Sequence, residues 1–302
     1  MRSACATAIV IVLIGCNGEA RKTNPTPVAA GGGCTLTATN GLKTVTVAAP
    51  GPGGPQSRRT YELYVPAIVD RSSRLPLVVS LHGTGATGAV QASLTHWTSF
   101  SESLAQSGGS FIVAFPDGAA TLWLWGTETS YDVKFIFDVV KSLEDTGCVQ
   151  PSAVYVDGWS EGAYMAQRMA CASPDAAGIA FAAIHGYAGG NPQVAGTACD
   201  HPAPTHILLS QGLDDRIIDP QKVGFAGFTA WIPRYRCYGT PDGPFTEEQR
   251  LSDCIPNALV VWWPIEHQGH LEWSCTSDAT WHTRGIWRFF RSNEIPAGST
   301  CS

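Results

Sequence analysis

The sequence predicts an α/β protein in which a mostly parallel central sheet is covered by helices on both faces. One observation behind this prediction is that apolar, strand-like segments alternate with helix-like segments along most of the chain. The other is the composition, since 302 residues that are 44% hydrophobic and 15% charged suit one large domain with a full core. In a sheet of this kind, ligands bind at the carboxyl ends of the strands.

The predicted strands and helices alternate along the chain. Strands are expected at residues 59–65, 75–81, 111–115, 153–157, 179–184, 207–210 and 259–264. Helices are expected at residues 94–107, 132–145, 161–171 and 280–290. Residues 50–55 contain clustered glycine and proline and predict a hairpin loop. Residues 186–204 and 219–257 have little periodicity, and we expect them to be disulfide-pinned insertions near the ligand-binding edge.

The N-terminal segment is typical of an export signal. Arg2 supplies a positive charge before an apolar run at residues 4–14, and that run is shorter than the ~20 residues needed to span a bilayer. The run leads to Cys16 in a sequence that resembles the bacterial lipobox. We therefore expect a lipoprotein signal peptide at residues 1–15 and lipidation of Cys16. An ordinary signal peptide with an incidental cysteine is the alternative.

The protein is accordingly expected outside the cytoplasm. It would be lipid-anchored at the cell surface or outer membrane if Cys16 is acylated, and secreted otherwise. Residues 16–33 are polar and rich in proline and glycine, which predicts a flexible tether. The folded domain is expected to span residues 34–302.

The cysteines predict disulfide bonds rather than a metal site. Apart from Cys5 and Cys16 there are eight, an even and dispersed set without the close pairs of a zinc site. The strand at residues 153–157 ascends the sheet and the following helix descends it. We therefore expect Cys148, before the strand, to meet Cys171, at the helix end, and to form a disulfide with it.

A serine between a predicted strand and a predicted helix is the main chemical signal. Residues 158–162 read Gly-Trp-Ser-Glu-Gly, which matches the G-x-S-x-G pattern. The turn is so tight that glycines flank the serine, whose hydroxyl then projects above the sheet. Ser160 is therefore the candidate nucleophile.

A serine hydroxyl needs a histidine to take its proton and a carboxylate to orient that histidine, here in the chain order Ser, Asp, His. Asp214 and Asp215 both follow the next predicted strand, and His267 and His270 both follow the last one. Spacing alone leaves both members of each pair open.

Four stretches together resemble the secreted polyhydroxybutyrate depolymerase and feruloyl esterase families over about residues 59–290. They are residues 75–83, the turn around Ser160, the turn at residues 211–218 and residues 269–273. The resemblance implies the α/β-hydrolase fold for a catalytic domain at residues 34–302.

The resemblance also implies roles for particular residues. It selects Asp215 as the acid and His270 as the base. It assigns the backbone N–H groups of Thr84 and Glu161 to an oxyanion hole, which binds the negative oxygen of the tetrahedral intermediate. Gln211 departs from the families, because a histidine usually stands there.

Aromatic and imidazole rings near the predicted loops are candidates for substrate contact, with core packing as the alternative for each. These candidates are Trp159, Trp123, Trp125, His185 and Trp273.

The resemblance implies a secreted serine carboxylic ester hydrolase without a cofactor, releasing feruloyl or acetyl groups from plant polysaccharide. A polyhydroxyalkanoate depolymerase is the first alternative. A non-catalytic surface lipoprotein that binds glycans or a protein, and a peptidase or acyltransferase with the same three residues, are the others. The net charge of −6 without a basic patch argues against nucleic acid as a partner. We expect a monomer that meets a membrane only through its lipid anchor.

Overall fold

The computed structural model describes residues 33–39, 41–67, 73–123, 130–171, 178–191, 204–254, 257–273, 275 and 277–295. The predicted signal peptide, the lipidation site Cys16, the tether up to residue 32 and Trp125 lie outside these residues.

Nine strands of the described residues form one sheet. They are β1 (Lys43–Gly51), β2 (Gly54–Tyr64), β3 (Leu75–Leu81), β4 (Ile112–Pro116), β5 (Val149–Trp159), β6 (Ala183–Tyr187), β7 (His206–Gly212), β8 (Gln249–Leu251) and β9 (Val260–Ile265). Their spatial order is β1-β2-β4-β3-β5-β6-β7-β9-β8. The strands from β4 to β9 in this order are parallel, whereas β1, β2 and β8 run antiparallel to their neighbours. The predicted α/β class with a mostly parallel sheet is confirmed.

Helices cover both faces of the sheet. They are α1 (Gly88–Thr95), α2 (Trp97–Ser103), α3 (Tyr131–Glu144), α4 (Glu161–Cys171), α5 (Ala226–Thr229), α6 (Trp231–Arg234) and α7 (Trp281–Ser292). Alternate strand residues point to opposite faces, so Leu77 and Val79 pack on the side of α3 and α4 while Val78 packs on the side of α1, α2 and α7. Among the described helices, none has the length and apolar character required to cross a bilayer.

Two predicted elements differ from the observed ones. The helix predicted at residues 94–107 is two helices, because His96 adopts a left-handed conformation (φ +55°) that ends α1. This break directs Trp97 into the core, where its Nε1 donates to Asp157 Oδ2 at 2.8 Å. The strand predicted at residues 179–184 lies later, as β6, because the hydrogen-bonded register with β5 begins only at Ala183.

The predicted Cys148–Cys171 disulfide is wrong, because Cys148 is bonded to Cys34. The segment before β1 runs beside the turn that precedes β5, where Thr35 N donates to Thr146 O at 3.0 Å. Cys34 therefore reaches Cys148 from the segment that precedes β1, and Cys171 is held in a different disulfide.

The described part of the predicted insertion at residues 219–257 is more regular than expected. A π-helical turn at Pro220–Phe225 leads into α5 and α6, and β8 extends the sheet at its edge. A disulfide between Cys237 and Cys254 closes the segment between α6 and β9, as its cysteines predicted.

Candidate active site

Ser160 lies in a strained turn between β5 and α4. Its φ is +55°, a left-handed conformation that costs a non-glycine residue energy, and its N–H donates to Tyr187 O at 2.8 Å. A Cβ on Gly158 would lie 2.1 Å from Gly162 O, and a Cβ on Gly162 would lie 2.1 Å from Leu81 O. Both flanking glycines are therefore required by close backbone packing, and the turn presents the serine hydroxyl at the carboxyl end of the sheet.

One histidine and one aspartate join this serine in a hydrogen-bonded row. His270 Nε2 lies 2.9 Å from Ser160 Oγ, and His270 Nδ1 lies 2.8 Å from Asp215 Oδ2. Asp214 and His267 are instead exposed, and Asp214 Oδ2 lies 4.0 Å from His267 Nδ1. The structure thus brings together Ser160, Asp215 and His270 and leaves the two alternates in solvent.

Asp215 is held by four hydrogen bonds. Its Oδ1 accepts from the N–H groups of Ile217 and Ile218 at 2.8 and 2.9 Å, and its Oδ2 accepts from Gln211 Nε2 at 2.7 Å and from His270. Burial acts to raise the pKa of Asp215, but the hydrogen bonds from His270 and the two amides outweigh it and lower the pKa below its ordinary value. The acid is therefore ionised at neutral pH and favours the His270 tautomer with the proton on Nδ1, which leaves Nε2 free to accept the serine proton.

Three side chains fix the loop that carries the histidine. Trp159 Nε1 donates to His270 O at 2.8 Å, Tyr187 Oη donates to Gly269 O, and Glu272 accepts from Gly269 N–H. Trp159 thus lies next to the serine in the chain and is hydrogen-bonded to the loop that carries His270.

An open cleft of about 590 Å³ lies over Ser160. It is lined by Thr84, Trp159, Ser160, Glu161, Tyr164, Ile217, Ile218, His270 and Leu271. Ile217 and Leu271 are 67% and 64% exposed, so two apolar side chains stand at its rim. No lysine or arginine is among these described lining residues.

Hydrogen bonds to His82 hold the segment that carries Thr84. Gly118 N–H donates to His82 Nε2 at 2.9 Å, which requires the neutral imidazole, and burial lowers the pKa of His82 accordingly. Trp123 Nε1 donates to His82 O at 2.8 Å. Thr84 Oγ1 in turn donates to Glu161 Oε2 at 3.1 Å. The two residues predicted to form the oxyanion hole are therefore neighbours in the cleft wall.

Three of the predicted substrate-contacting residues do not line this cleft. Trp123, His185 and Trp273 are 2%, 0% and 2% exposed and pack in the interior. His185 joins Asp157 at 2.7 Å and Ser210 at 2.6 Å inside the sheet layer. The positions of the rings in the sequence did not distinguish these three core residues from Trp159, because the position of a residue in the chain does not determine the direction in which its ring points.

His282 extends the same buried polar network. Its Nε2 lies 3.0 Å from Ser210 Oγ. Burial lowers the pKa of His282 well below its ordinary value, and the electrostatic effect of the neighbouring His185 acts in the same direction. Asp157, His185 and Ser210 repeat the residue types of the row at the cleft, but at 0% to 2% exposure they are inaccessible to a substrate. Across the described ranges, no cluster of three or more potential ligands is placed to hold a metal ion.

Four residues of the cleft wall, and one residue that supports the acid, were not predicted from the sequence. Tyr164 follows the serine by four residues and lies in the first turn of α4, where it lines the cleft. Ile217 and Ile218 form an apolar pair directly after the acidic turn, and this pattern could have predicted an apolar cleft wall. No sequence pattern indicated that Leu271 lines the cleft. Gln211, noted as a departure from the related families, supplies the hydrogen bond to the buried acid.

Two known proteins have similar sequences, although no protein-family model matches the chain. A bifunctional acetylxylan esterase/xylanase of Neocallimastix patriciarum is 27% identical over 210 residues, which cover 69% of this chain and 28% of that protein. A feruloyl esterase B of Piromyces equi is 26% identical over 220 residues, 65% of this chain and 40% of that protein. The chain thus spans well under half the length of either relative. The predicted resemblance to feruloyl esterases is confirmed.

Solved structures share the fold. An acetyl xylan esterase from Aspergillus awamori superposes with a TM-score of 0.60 at 18% identity, over 83% of this chain and 98% of that one. A ferulic acid esterase from Anaeromyces mucronatus, solved with ferulic acid, gives 0.53 at 13% identity, over 85% and 93% of the two chains. The chain has the α/β-hydrolase fold, as predicted.

Proposed function

We propose that this protein is a serine carboxylic ester hydrolase that releases feruloyl or acetyl groups from plant polysaccharide. The observation that carries the proposal is the hydrogen-bonded row of Ser160, His270 and Asp215, which ends in the open cleft at the carboxyl edge of the sheet.

The reaction has two steps. His270 Nε2 takes the hydroxyl proton as Ser160 Oγ attacks the ester carbonyl, and His270 then gives that proton to the departing alcohol, leaving an acyl-enzyme. A water molecule, deprotonated by the same nitrogen, attacks the acyl-enzyme and restores the serine. The Asp215 carboxylate stabilises the imidazolium in both steps. The backbone N–H groups of Thr84 and Glu161 bind the oxyanion.

The cleft and the similar proteins support the proposed substrate class. The apolar side chains of Ile217 and Leu271 suit the ring or methyl group of an acyl unit, and the open mouth suits an acyl group that projects from a polymer. The names of the two similar proteins, an acetylxylan esterase and a feruloyl esterase, point to the same esters.

We also propose that the protein acts outside the cytoplasm and is held by a lipid on Cys16. The disulfides Cys34–Cys148 and Cys237–Cys254 support an oxidising compartment. Growth with labelled palmitate, followed by purification of the wild-type protein and Cys16→Ala, tests the anchor, which is expected to label only the wild type.

The activity is tested with the purified protein and Ser160→Ala on four substrates: methyl ferulate, acetylated xylan, a hydroxybutyrate oligomer and p-nitrophenyl acetate. We expect hydrolysis of the aryl ester and of at least one of the first two, with a loss of about 10⁴-fold or more in kcat for the variant. Cleavage of the oligomer alone would favour a polyester depolymerase. A folded wild-type protein that hydrolyses none of the four would contradict the proposal and favour the binding lipoprotein.

A further inference from the structure

Glu161 places a carboxyl group directly beside the serine. It is the first residue of α4, and it is only 7% exposed although it contributes to the cleft wall. The proposed reaction uses its backbone N–H alone. Burying a carboxyl group costs free energy unless hydrogen bonds compensate it. The buried position of the Glu161 side chain therefore indicates that it has a role of its own.

The carboxyl group forms hydrogen bonds with two segments that precede α4 in the chain. Its Oε2 accepts from Thr84 Oγ1 at 3.1 Å, and it also accepts a hydrogen bond from the backbone of Trp123. The Trp123 indole is itself tied to His82 O at 2.8 Å, two residues before Thr84. One side chain thus joins the helix that follows the serine to the segment that carries the other proposed oxyanion donor.

Burial and hydrogen bonding act on the pKa of this carboxyl group in opposite directions. Burial raises the pKa of the Glu161 carboxyl, and the Asp132 carboxylate raises it further, while the bonds from Trp123 and Thr84 act in the opposite direction. Asp132 is itself paired with Arg59 at 2.5 Å. A negative charge here would also oppose the oxyanion that forms nearby, so charge alone would be a disadvantage to the reaction.

We infer that Glu161 is a positioning residue whose carboxyl group holds the Thr84 backbone N–H at the distance from Ser160 that the oxyanion requires. This inference rests on the proposed ester hydrolysis. Oxyanion donors act at 2.7 to 3.1 Å, and a misplacement of about 1 Å can cost about 10²-fold in rate. The expected effect is on kcat, because the contact strengthens in the transition state.

The test compares Glu161→Ala with Glu161→Gln on p-nitrophenyl acetate. Glutamine keeps an acceptor oxygen of the same reach without the charge, whereas alanine keeps the backbone N–H and loses the tie. We expect E161A to lower kcat by about 10²-fold with KM changed less than about threefold, and E161Q to restore most of that loss. Equal kcat values for E161A and wild type would overturn the inference, and so would equal losses in E161A and E161Q.

Thr84→Val covers the case in which E161A fails to fold. It removes the other partner of the same hydrogen bond and keeps the Thr84 backbone N–H, so a loss of about tenfold in kcat is expected. An unchanged kcat in this variant would count against the tie.

Amide hydrogen exchange over residues 82–86 gives a readout that needs no turnover. We expect faster exchange in E161A than in wild type, with E161Q close to wild type. If wild-type protein hydrolyses no ester, the proposed function fails while the exchange pattern still decides whether Glu161 positions the segment. If wild type is active and exchange is the same in all three proteins, only the positioning role is refuted.

Discussion

Replacing Asp215 by asparagine exchanges an acceptor for a donor next to the candidate base. The carboxylate accepts four hydrogen bonds, two on each oxygen. The asparagine oxygen can still accept from the N–H groups of Ile217 and Ile218. Its NH₂ group then faces His270 Nδ1 and Gln211, where the carboxylate accepted before.

We expect this substitution to leave the fold intact but to change the tautomer of His270. Gln211 Oε1 is buried and has no hydrogen-bond partner among the residues that the structure describes, so a flip of the Gln211 amide would supply an acceptor for the new NH₂ group. His270 Nδ1 must also accept, which moves the imidazole proton to Nε2. That nitrogen then donates to Ser160 Oγ and can no longer take its proton. Loss of the correct tautomer costs about 10⁴-fold in kcat, or about 5.4 kcal/mol of barrier.

The assay is hydrolysis of p-nitrophenyl acetate by wild type, Asp215→Asn and the matched control Asp214→Asn. Asp214 is 68% exposed and its carboxylate lies 4.0 Å from His267, so D214N is expected to keep wild-type kcat. Thermal melting should show similar stability for all three proteins. A D215N enzyme within tenfold of wild type, or a large loss in D214N, would refute the assignment of the acid and the tautomer reasoning with it.

Two predictions concern stability. Cys34→Ser with Cys148→Ser opens a bridge between residues 114 apart, and we expect calorimetry to show a lower melting temperature and a loss of about 2 to 5 kcal/mol; an unchanged melting temperature would contradict this. Burial lowers the pKa of His282 well below its ordinary value, so the unfolded chain protonates this residue below about pH 6.5 while the folded protein does not. Stability therefore falls as pH decreases through this range, and His282→Phe should reduce the slope in urea titrations by up to about 1.4 kcal/mol per pH unit. Equal slopes in the two proteins would rule out His282 as the cause.

Local features of the fold followed from the sequence. The turn around Ser160 was predictable because a strand, a glycine-flanked serine and a helix are contiguous, and their conformations depend on near neighbours. The same is true of the hairpin, since β1 and β2 pair across a two-residue loop. In contrast, the Trp97 indole beyond the break at His96 donates to Asp157, which is distant in sequence, so local periodicity did not reveal this contact and predicted one helix there.

The candidate site divides in the same way. Spacing placed Asp214 and Asp215 at the correct edge, but which carboxylate turns inward depends on backbone N–H groups after the turn and on Gln211 in β7. Family resemblance favoured the inward-facing residue, although the catalytic role remains a prediction.

The sequence by itself determined the α/β class, the serine turn and the presence of disulfides. Only the tertiary structure decided that Cys34 bonds to Cys148, that His185 is buried and that Leu271 borders the cleft. Each of these facts depends on which distant segments the strand order makes adjacent. Because that order is set by the packing of the whole sheet, no short stretch of sequence encodes it.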